Sequence, residues 1–131
     1  MILDADCEQL VIDHLAATLP LYGITAPVGD RTPGQGQESV VVIRTGGTRR
    51  DLVTDQAQLT IDVRAADNSL AFNIINHVRA LLLDLWGRQL AGHAVYQVTE
   101  LSGPYSNPTS TDLHRYSQSF LVAVRSIEVV V

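Results

Sequence analysis

Residues 57–65, "AQLTIDVRA", alternate without a break: Leu59, Ile61 and Val63 fall on one side, Gln58, Thr60, Asp62 and Arg64 on the other. A period of two held over that length describes a half-buried strand whose apolar side needs another layer to cover it. Two segments with helical spacing supply that layer. In "DADCEQLVIDHLAATLP", Cys7, Leu10, Val11, His14, Leu15, Thr18 and Leu19 share one helical face, and Pro20 helps to stop the helix. A second helix starts at Asp67 or Asn68, either of which can cap it. Its stripe is Ala71, Ile74, Ile75, Val78, Leu82 and Leu85, and Gly87 closes it. The end of that helix, "ALLLDLW", is apolar on more than one face, which places it beneath the sheet or against a second subunit.

The remaining strands are "SVVVIRT" (39–45), a short one in "YGITAPVG" (22–29), "HAVYQVTELS" (93–102) and "HRYSQSFLVAVRSIEVVV" (114–131). "DRTPGQGQE" (30–38) reads as a mobile loop, and "GPYSNPTSTD" (103–112) as the turn-rich link between the last two strands. The order α-β-β-β-α-β-β predicts an α+β fold: a mainly antiparallel or mixed sheet with both helices packed on one face. At 131 residues the chain makes one domain, 1–131.

Charge is unevenly placed. Residues 1–43 hold six acids against Arg31 alone, whereas residues 44–131 hold eight acids and eight arginines. A net charge of −5 without a basic run argues against gripping nucleic acid, an affinity that comes largely from neutralising phosphates. The chain contains no lysine, so chemistry that needs one as Schiff base or phosphate anchor is closed to it. A single cysteine allows no internal disulfide, and no apolar stretch approaches the ~20 residues of a membrane span. The start "MILDADCEQL" lacks a basic n-region, so a signal peptide is not expected, and a reducing cell interior is.

The stretch "VVIRTGGTRRDLVTD" (41–55) has the look of a phosphate cradle, but a P-loop requires the missing lysine. "GQGQES" offers Gly34 and Gly36 with Ser39 where a dinucleotide fingerprint needs its third glycine, and a strand follows instead of a helix. Gly46–Gly47 beside Arg49 and Arg50 fits an anion nest less well than a plain turn with solvated arginines. Asp4, Asp6 and Glu8 open like an EF-hand, yet Gln9 and Leu15 stand at its glycine and glutamate positions, and complementing the helix dipole explains the acids better. His14, His77, His93, His114 and Cys7 show no metal-ligand spacing. Cys7 is able to act as a nucleophile only if the fold brings it a histidine, and at a helix start its thiol pKa can fall; a small buried hydrophobe is the plainer reading.

"VVIRTGG" (41–47), "LVTD" (52–55), "AQLTIDVRAAD" (57–67), "GPYSNP" (103–108), "HRYSQSFLVAVR" (114–125) and the opening "DADCEQLVIDHL" together resemble the tail terminator family of long-tailed, non-contractile phages, in its actinobacterial-phage form. The resemblance rests on order and spacing and covers most of the chain. It implies a virion protein, assembled in the host cytoplasm, with neither catalysis nor cofactor. Six copies form a ring on the head-proximal end of the tail tube, stop its polymerisation and present a surface to the head-side connector. A head-closure or connector neck protein is the neighbouring alternative, and a small α+β enzyme or ligand-binding domain the alternative of another class.

Size is compatible with a ring. A chain of 131 residues has a radius of gyration of about 14 Å, hence a solid radius near ~18 Å. Six such spheres leave a hole of ~36 Å before loops narrow it, wide enough for a duplex about 20 Å across to pass without sequence-specific binding. On this reading "VVIRTGGTRRDLVTD" is a strand, a glycine turn and a charged tip, and Arg44, Arg49, Arg50, Asp51, Asp55 and Arg64 are the interface residues. The acidic N-terminal third and the arginines would then meet across a subunit boundary or face different partners.

Overall fold

The computed structural model describes residues 1–31, 37–109 and 114–128. In chain order the elements are β1 (Ile2–Leu3), α1 (Cys7–Thr18), a 3-10 turn (Leu19–Tyr22), β2 (Val28–Gly29), β3 (Ser39–Asp51), β4 (Thr54–Arg64), α2 (Asn68–Leu83), β5 (Gln89–Leu90), β6 (His93–Glu100), β7 (Tyr105–Ser106), β8 (Arg115–Arg125) and β9 (Ile127–Glu128). The main sheet runs β2-β3-β4-β8-β6-β5, with β7 beside β8, and all its pairings are antiparallel except β2 with β3. The α+β class and the packing of both helices on one face are as the sequence predicts.

Alternation in β4 decides which face the helices cover. Ala57, Leu59, Ile61 and Val63 are fully buried, and the register sets Val122, Phe120, Gln118 and Tyr116 of β8 opposite them. Onto this face α1 brings Cys7, Val11, Ile12 and Leu15, with Leu19 beyond it, and α2 brings Ala71, Ile74, Ile75, Val78 and Leu82. Asp6 caps α1 by accepting from the Gln9 amide at 3.1 Å, and Asp67 caps α2 by accepting from Leu70 at 2.8 Å.

The α1 stripe is rotated from its expected position. Leu10, His14 and Thr18 sit at its partly exposed margin, and Ile12 is buried on the other flank. The other departures concern short pairings. Residues 2–3 form a strand against residues 127–128, β7 interrupts the turn-rich link, and Gln89–Leu90 pairs with β6. The loop 30–38 and the closing valines fall largely outside the described residues, as do Gly34 and Gly36.

The glycine turn expected at residues 46–47 does not occur. β3 continues through both glycines to Asp51, and the chain reverses at Leu52–Val53. The register slips between Arg44 and Gly46, so the glycines lie at an irregularity inside the strand. Gly47, at φ 106°, lies so close to β4 that a Cβ would stand 2.0 Å from the Gln56 carbonyl oxygen. A pair of glycines reads as a turn in sequence; here it marks a close approach of two backbones.

Candidate functional site

The β3–β4 hairpin gathers most of the expected interface residues, but they play different roles. Asp55 is almost fully buried, and Arg44 reaches it with both guanidinium nitrogens, at 2.6 and 2.9 Å. The Arg44 backbone amide donates to the Glu8 carboxylate at 2.7 Å, tying the first turn of α1 to the strand irregularity. Arg49 donates to Asp4 at 3.1 Å, and Asp4 also accepts from the Ser126 hydroxyl at 2.8 Å. The Ser126 amide donates to the Val53 carbonyl at 2.7 Å. The tip end of the hairpin is thus clasped by the residues that follow β1 and precede β9.

Within one chain Arg44 pairs with Asp55, and Arg49 meets Asp4 of the acidic N-terminal third. Arg64 closes β4 at the far end from the tip, paired in register with Ser39 and Arg115, and does not join the cluster. Arg50 and Asp51 remain at the tip, loosely paired at 3.9 Å. Arg50 also lies over the Tyr96 ring, 6.0 Å from its centroid. Asp51 accepts from the Val53 amide at 3.0 Å, which holds its carboxyl below the usual range and shapes the turn. Leu52 stands between Asp51 and Val53 and is 72% exposed.

No protein-family model matches the chain, and no curated protein matches it.

A second surface lies on the solvent side of α2. Leu82 and Leu85 go under the sheet, but Leu83 and Trp86 are exposed, so the apolar end of this helix is only half covered; Phe72, in the second turn, is half exposed and meets the Tyr116 ring edge-on at 5.7 Å. On the opposite flank of α2, across its buried stripe, Tyr22, His77, Ala80, Leu81 and Asp84 line an open groove of about 300 Å³. The Tyr22 and His77 rings stand 5.6 Å apart, and His77 Nδ1 is 2.8 Å from the Asn73 carbonyl oxygen. Asp84 meets Arg88 at 3.4 Å, with both side chains mostly in solvent.

Cys7 does not have the character of a nucleophile. Burial pushes its thiol up to about 12, outweighing the opposite pull of Arg44, so the expected helix-start effect loses to desolvation. Burial likewise lowers the pKa of His14, against the raising influence of Asp84. Asp4, Asp6 and Glu8 diverge to Arg49, to the α1 cap and to Arg44 respectively. Among the described residues, no three His, Cys, Asp or Glu side chains converge into a metal-holding group.

Two further networks escape sequence reasoning. Glu100 accepts from both Arg79 nitrogens and from Gln118, joining α2 to β6 and β8. On the helix-free face, Asp62 accepts from Arg115 and Ser117, while Asn107 donates to the Ser117 hydroxyl. Their partners lie 10 to 55 residues apart, and no spacing rule reaches that far.

Proposed function

We propose that this chain is a tail terminator: a structural virion protein whose hexameric ring caps the head-proximal end of a phage tail tube, halts tube growth and offers the head-side connector its docking surface. One observation carries the reading beyond the resemblance in sequence. A single-core domain displays two unlike exposed surfaces, a clasped hairpin tip bearing Arg50, Asp51 and Leu52, and an apolar α2 face bearing Phe72, Leu83 and Trp86. Unlike surfaces on one copy are what a head-to-tail ring requires. The ring faces bind different partners, and DNA passes through the lumen unread. Among the described residues, no helix is long and apolar enough to cross a membrane.

The test is to mix the protein with tail-tube protein, or with headless tubes, and image the tips in negative stain. Ring-shaped caps on one end, with shorter and uniform tubes, are expected. Bare tips and unchanged lengths would reject the proposal and direct attention to portal binding by a head-closure or connector protein.

A further inference from the structure

We infer that the hairpin tip of one copy seats in the α2 groove of the next, with Leu52 against Tyr22, Ala80 and Leu81, and Arg50 beside Asp84. This contact rests on the ring reading and specifies its subunit boundary.

The two surfaces are complementary in charge, and each offers the other apolar surface. Leu52 is a large aliphatic side chain held in water at a turn whose geometry is fixed by the Asp51–Val53 bond and the Ser126–Val53 bond. Removing it from water is favourable, and a groove of about 300 Å³ with Leu81 and Ala80 in its wall has room for it and for the stem of the neighbouring arginine. α2 ends without a basic residue in its last turn. Its last carbonyls accept from the Asp84, Leu85 and Trp86 amides, but the negative end of the helix dipole remains, and with the Asp84 carboxylate beside it a cation is favoured there. Arg50 supplies one. At home Arg50 has only Asp51, 3.9 Å away and exposed, and the Tyr96 ring, 6.0 Å away, while Arg88 meets Asp84 at 3.4 Å with both side chains mostly in solvent, so the contact exchanges weak partners for a closer one. Tip and groove share no residue, which makes the contact heterologous and able to propagate around a ring.

The experiment places Leu52→Cys and Ala80→Cys in separate proteins, mixes them, oxidises them and separates the products without reductant. Native Cys7 is 1% exposed and does not compete. The mixture should form a cross-linked dimer that neither variant forms alone, and a chain carrying both substitutions should form a ladder. A dimer from either single variant, or none from the mixture at the highest concentration reached, overturns the contact. In the cross-linking pair, Arg50→Glu should cut the yield about fivefold, as expected for a partly exposed ion pair, and Asp84→Arg added to it should restore the yield. Failure of that restoration also overturns the contact. Caps on tubes made by a protein that gives no mixed dimer would remove this contact and keep the terminator reading. A mixed dimer from a protein that leaves tube tips bare would keep the contact and remove that reading.

Discussion

Arg44 and Asp55 form a two-bonded ion pair across the β3–β4 hairpin, and the same Arg44 donates its backbone amide to Glu8 of α1. Asp55 has only 4% of its side chain exposed, so the pair compensates a carboxylate that water scarcely reaches. Breaking such a pair from one side leaves that charge stranded. Arg44→Ala should cost about 3 kcal/mol of unfolding free energy, whereas Arg44→Met with Asp55→Leu should recover most of the loss. Urea denaturation of the three proteins checks both statements, and equal losses in the single and double variants would refute the account.

Gly47 lies against β4 with no room for a side chain. Gly47→Ala should destabilise by at least about 2 kcal/mol, through strain at positive φ together with displacement of the Gln56 carbonyl. Gly29 has open space where its Cβ would be and no unusual φ, so Gly29→Ala is the control. Thermal melts should separate them clearly.

The Cys7 thiol is protonated and enclosed at neutral pH. A thiol-specific reagent should react with the folded protein only as fast as the structure opens, and at the ordinary free-thiol rate in denaturant. Rapid labelling of the native protein would contradict the burial of α1's first turn.

Acid should weaken the fold in two separate windows. His14 has its folded pKa lowered below the usual 6.5 by burial, so the unfolded chain takes up its proton first and stability falls as pH drops below about 6.5. Glu100 has its folded pKa lowered below the usual 4.5, chiefly by its hydrogen bonds from Arg79. Its contribution is present above the unfolded pKa and is lost as pH falls through the folded one. Arg79→Ala should shrink the lower window, leaving the part due to Asp51, and His14→Gln should flatten the upper one. Stability measured against pH for the two variants tests the assignment.

How much of this was legible beforehand depends on the range of the interaction. The α2 stripe needed only its 3.6-residue period, and all six of its members are buried. The inward face of β4 needed only its period of two. Both caps followed from short polar side chains at fixed offsets. Gly46 and Gly47 misled because a glycine pair has the same signature in a turn and in a strand pressed against its neighbour. The clasp of Asp4, Arg49 and Ser126 was illegible because it depends on β1 meeting β9, a pairing of two residues per strand with no pattern of its own. The exposure of Leu52 and Trp86 depended on where the chain turns and how α2 is rotated, neither of which composition fixes.

The position of β8 bears on how the chain comes to be folded. Of the long strands among the described residues, β8 is made latest, and it is inserted between β4 and β6, both made earlier. Until it arrives, β4 and β6 each have an open backbone edge, and Leu59 and Ile61 lack their neighbours Phe120 and Gln118. The sheet therefore closes late, through contacts distant in sequence, a topology associated with slow folding and with mispairing of exposed edges. A chain stopped before residue 115 would lack the strand that joins β4 to β6, and the two halves of the sheet would be left without their common neighbour.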